Sequence, residues 1–68
     1  MIKNIFISGM HCEHCTAAVT SALKEIPGVT SVTVELESGI ATVAGSGFDD
    51  AALKSAVEDT GFDVIEIA

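Results

Sequence analysis

A chain of 68 residues has room for one hydrophobic core, so residues 1–68 are expected to form a single domain. A hydrophobic content of 49% and a mean hydropathy of +0.53 exclude a disordered polymer, yet the apolar residues fall in short runs, far from the roughly 18 in succession that cross a bilayer. Ten Asp plus Glu against three Lys, with no Arg and a net charge of −7, argue against nucleic acid and anionic membrane surfaces as partners, and the short apolar runs argue against direct membrane insertion.

The apolar residues that begin at Ile2 stop at Ser8, too soon for a signal-peptide core, and a cytoplasmic protein is expected. Within this segment Lys3, Ile5 and Ile7 alternate with Ile2, Asn4, Phe6 and Ser8, the period of a strand. Gly9 to Glu13 interrupts it. Val19, Ala22, Leu23 and Ile26 then recur at helical spacing, and Pro27-Gly28 ends that helix. Val29 to Glu37 reads as a second strand with Val32, Val34 and Leu36 on its apolar face. Ser38-Gly39 is a hairpin turn into a third strand over Ile40 to Ala44. Asp49 or Asp50 caps a second helix with Leu53, Ala56 and Val57 inward, Gly61 stops it, and Phe62 to Ala68 is the last strand, carrying Val64, Ile65 and Ile67. The order predicts an α+β, ferredoxin-like βαββαβ fold: a four-stranded antiparallel sheet with two helices on one face. Each half is a right-handed βαβ-type crossover if its outer strands are parallel neighbours.

The chemistry gathers in Gly9-Met10-His11-Cys12-Glu13-His14-Cys15. Two cysteines three apart, where a strand passes into the first turn of a helix, can aim both sulfurs at one point. The positive helix end favours thiolates there, which suits both metal ligation and redox chemistry. A two-thiolate site satisfies soft Cu(I) at low coordination, whereas zinc wants four ligands, so Cu(I) ranks first and Zn(II) behind it.

Rival readings of the pair are a structural zinc knuckle, a thiol-disulfide oxidoreductase and inert buried cysteines. A knuckle would need a second ligand pair at a distance, but His11 and His14 crowd the same stretch. A thioredoxin-like site would carry a Trp before the motif and Gly-Pro within it, and this chain has neither there. Polar Glu13 and His14 between the cysteines speak against an inert pair.

Gly9-Met10-x-Cys12-x-x-Cys15 after the first strand, Pro27-Gly28-Val29 after the first helix and Gly61-Phe62 before the last strand together resemble the heavy-metal-associated domain along essentially the whole chain. The resemblance implies a Cu(I) site made by Cys12 and Cys15, with Zn(II), Cd(II) or Hg(II) carried by related domains. It implies no enzyme. The role it suggests is a soluble copper chaperone that hands Cu(I) by ligand exchange to a copper-transporting P-type ATPase, or the N-terminal metal-binding domain excised from such an ATPase. His14 is similar to a residue common in bacterial copper chaperones, whereas Phe62 is more typical of the ATPase domains and His11 departs from the usual Thr or Ser; the free-standing length favours the chaperone. By the same resemblance Met10 packs inward beneath the loop and the Phe62 ring lies near it, keeping water from the thiolates. His14 is a solvated helix residue or a third ligand where copper bridges two copies into a homodimer.

Overall fold

The computed structural model describes residues 1–10 and 13–68, so His11 and Cys12 lie outside the described residues. The elements follow the expected order: β1 (Ile2–Ser8), α1 (Glu13–Lys24), β2 (Val29–Glu35), β3 (Ile40–Gly45), α2 (Asp50–Asp59) and β4 (Asp63–Ile67). They form one sheet in the order β2-β3-β1-β4, with every neighbouring pair antiparallel. The condition that the outer strands of each half be parallel neighbours is therefore not met. β1 and β2 run parallel but β3 lies between them, and β1 likewise separates β3 from β4. A short turn obliges β3 to pair with β2, and the full burial of Ala41 and Val43 suits a strand flanked on both sides.

Three strands also differ from expectation in their bounds. β2 ends at Glu35 instead of Glu37 because the amide of Gly39 donates to the Glu35 carbonyl at 3.0 Å and closes the turn there. Leu36 still packs against the core, which is why the alternation runs on past the strand. β3 continues to Gly45, and β4 is bounded by Asp63 and Ile67, although Ala68 still exchanges two backbone hydrogen bonds with Asn4, at 2.9 and 2.8 Å. Val64 faces Ile7 and Glu66 faces Phe6, so Ile65 is an extra residue in a bulge, 70% exposed, while Val64 and Ile67 pack inward.

The helices lie on the sheet face that carries Ile5, Ile7, Ala41 and Val43, α1 over β2 and α2 over β4. Their buried stripes are Val19 with Leu23 and Leu53 with Val57, each pair one turn apart, and all four are fully buried with Ile5 and Val43. Ile26 lies beyond the end of α1 yet still packs on this core. Asp49 caps α2 by accepting from the Ala52 amide at 2.8 Å. At the end remote from the β1–α1 junction, Gly28 has φ +95°, and a Cβ there would collide with the Ser46 carbonyl, so glycine is required where two loops meet. Among the described residues no helix is long and apolar enough to cross a membrane.

Candidate metal centre

β1 leads straight into the motif. Gly9 has φ +95°, a conformation that turns the chain out of the sheet and suits a residue without a Cβ. Met10 immediately dives into the core and is only 7% exposed. Its thioether is thus spent on packing against apolar neighbours, a use for which an unbranched, polarizable side chain is well adapted. Cys12, expected as a metal ligand, and His11 lie outside the described residues.

The described part of the site resumes at α1. Cys15 is in the first turn of that helix, half-buried and packed on the core, one turn ahead of Val19 on the same inward stripe. Glu13 and His14 are exposed beside it. The helix start is favoured by Glu13, an acid at the positive end of the dipole, and the Thr16 hydroxyl donates back to the Glu13 carbonyl at 2.8 Å. One helical turn therefore presents a sulfur toward the protein and an imidazole toward water.

Phe62 completes the neighbourhood from the far end of the chain. It is half-buried against the core, and a Cβ placed on Gly9 would touch its Cδ1 at 3.4 Å, so the ring lies along the backbone where the loop begins. The contact of Gly9 with a residue from the opposite terminus has no local signature in the sequence. Among the described residues, no three His, Cys, Asp or Glu side chains converge. The cleft between α2 and β4, lined by Lys54, Ile65 and their neighbours, does not include Cys15 and is separate from this centre.

Comparison with known proteins agrees with this geometry. The family model described as the heavy-metal-associated domain matches residues 4–63. The chain belongs to the heavy-metal-associated domain family. Copper chaperone CopZ of Staphylococcus aureus (strain JH9) is 45% identical to it over 87% of this chain and 90% of that one. Among solved structures, a CopZ metallochaperone superposes with a TM-score of 0.93 at 40% identity, covering 96% of this chain and all of the other. A copper-binding domain of the P-type ATPase HMA7 superposes with a TM-score of 0.91 at 31% identity, covering all of this chain and 95% of that one. As a heavy-metal-associated domain, the chain has the ferredoxin-like architecture expected from its element order, and its Cys15 stands where a loop with a buried methionine meets the first turn of α1.

Proposed function

We propose that this heavy-metal-associated domain, extending over residues 1–68, is a cytoplasmic copper chaperone. Its cargo is Cu(I), held by Cys12 and Cys15, and it catalyses no reaction. The observation that carries this reading is the placement of Cys15: half-buried on the first turn of α1, next to a loop anchored by Met10, in a chain 45% identical to a copper chaperone. Two sulfurs leave Cu(I) under-coordinated, so an incoming thiolate from a recipient can add before a donor sulfur leaves, and the ion changes hands without entering water. A P-type ATPase with a similar domain is the expected recipient. His14 is exposed and adjacent to Cys15, so it is available as a third donor when copper bridges two copies. Met10 and the Phe62 ring support the loop from beneath and beside it.

A second reading, as the metal-binding domain of a heavy-metal ATPase, is favoured by the likeness to the HMA7 domain and by Phe62. The deciding experiment is anaerobic titration of the reduced apoprotein with Cu(I) against a calibrated competing chelator, with Zn(II) in parallel, followed by mixing with an ATPase metal-binding domain. Tight 1:1 Cu(I) binding with a thiolate absorption band, weak Zn(II) binding and transfer to the recipient support the chaperone reading. Preference for Zn(II), Cd(II) or Hg(II) overturns the assignment of the cargo. Reduction of insulin by the protein would instead assign redox chemistry to the cysteine pair.

A further inference from the structure

The sheet face turned away from α1 and α2 carries a pattern that the metal centre does not use. The strand registers place Glu35, Ile40, Phe6 and Glu66 opposite one another in a single row across β2, β3, β1 and β4. Residues directly opposite in antiparallel ladders share a face, so two apolar side chains lie between two exposed carboxylates. In the next row the Thr42 hydroxyl donates to Asn4 Oδ1 at 3.0 Å, joining the two central strands. Among the described residues no lysine shares this face: Lys3 lies on the helix side, 3.4 Å from Asp50, and Lys24 and Lys54 stand on the helices. The open side of an antiparallel sheet is ordinarily polar, yet half-buried Phe6 and Ile40 occupy its middle.

We infer that this row is a docking surface for a basic, extended segment of a partner protein, in which one apolar side chain lies between two cations. Spacing selects the conformation of that segment. Three inter-strand steps put Glu35 and Glu66 about 14 Å apart. In an extended chain, residues i, i+2 and i+4 face the same way, and i to i+4 spans about 13 Å. Lys-x-Leu-x-Lys laid across the strands thus sets a cation on each glutamate and the leucine on the Phe6–Ile40 pair. A helix, with about 10.5 Å from i to i+7 and about 16.5 Å from i to i+11, meets both carboxylates less well. Charge selects the class of partner. A second copy would oppose carboxylate to carboxylate, and anionic lipid and nucleic acid are repelled in the same way. The helices that cover the other face carry Cys15, so occupancy of this row leaves the cysteine uncovered, and the inference does not depend on which metal is carried.

The test uses the full chain, isotopically labelled, titrated with the blocked peptide Ser-Lys-Ser-Leu-Ser-Lys-Ser up to millimolar concentration while backbone amide shifts are followed. Shifts are expected to concentrate at Glu35, Ile40, Phe6 and Glu66. The double variant Glu35→Gln with Glu66→Gln, at two exposed positions, is expected to weaken binding about two- to thirtyfold, the range for two exposed ion pairs. Replacing the peptide leucine by serine is expected to weaken it several-fold to about tenfold, the order that one partly buried aliphatic side chain on an open sheet face supplies. The inference is overturned if the serine peptide binds equally well, if the shifts fall on the helices or the β1–α1 junction, or if no shifts appear. Concentration-dependent shifts of the same amides without peptide would assign the face to a second copy and overturn it equally.

Discussion

Met10 precedes α1 and Cys15 lies in its first turn, and their surroundings divide the labour between them. Met10 is almost fully buried among aliphatic side chains, so Met10→Ala removes packing and leaves a cavity. It is expected to cost about 2 to 5 kcal/mol of stability in urea unfolding while Cu(I) affinity changes little. Cys15 is half-buried at the margin of the core, and serine nearly matches its volume. Cys15→Ser is expected to keep the unfolding midpoint near that of the parent and to abolish the thiolate absorption band on Cu(I) addition. The reverse pattern, with Met10→Ala stable but unable to bind copper, would make the thioether a ligand. The letters Gly9-Met10 and Cys15 mark the site, but a methionine before a cysteine pair is either core or ligand; the family resemblance points to core, and burial separates the two. The contact between Gly9 and Phe62 was legible only through the family resemblance, since no local pattern in the sequence brings the two together.

At the scale of the elements, what can be read from sequence is what repeats. Val19 with Leu23 and Leu53 with Val57 repeat at helical spacing, and each pair is buried as the pattern demands. The Asp49 cap was one of two adjacent candidates; the hydrogen bond from the Ala52 amide decides between them. Asp49→Ala is expected to cost about 0.5 to 2 kcal/mol, read from chemical denaturation, whereas Asp50→Ala should cost at most about 1 kcal/mol, since its ion pair with Lys3 is largely solvent-exposed. What does not repeat is hidden. In Asp63-Val64-Ile65-Glu66-Ile67, strict alternation from Ile67 turns Ile65 inward, but the bulge shifts the register and turns Val64 inward instead. Ile65→Thr should therefore change stability by no more than about 0.5 kcal/mol, as for an exposed site, and a loss of core-like size would show that the bulge is not kept in solution. Insertion of β3 between β1 and β2 was hidden for a related reason: a short hairpin fixes which strands pair, but not on which side the pair meets β1.

The net charge belongs to the whole molecule, and it sets opposite salt dependences for the two encounters proposed for this protein. Two copies that share copper each bring a charge of −7, so their approach is opposed by long-range repulsion. Raising ionic strength shortens the screening length to about 10 Å at 0.1 M and about 3 Å at 1 M, so a copper-bridged dimer should become more abundant as salt is added. Transfer to a recipient with a basic face is steered by attraction and should slow over the same range. His14 is exposed beside Cys15 and carries no part of the core, so His14→Ala should leave the fold and monomer affinity for Cu(I) nearly unchanged. If the imidazole supplies a donor to a shared ion, the variant loses copper-dependent dimer at every salt concentration. If it is only a solvated helix residue, dimer formation rises with salt identically in both proteins. Sedimentation equilibrium of wild type and variant, with and without copper, at low and high salt, separates these outcomes, and an equal response in the two proteins removes His14 from the ligand set.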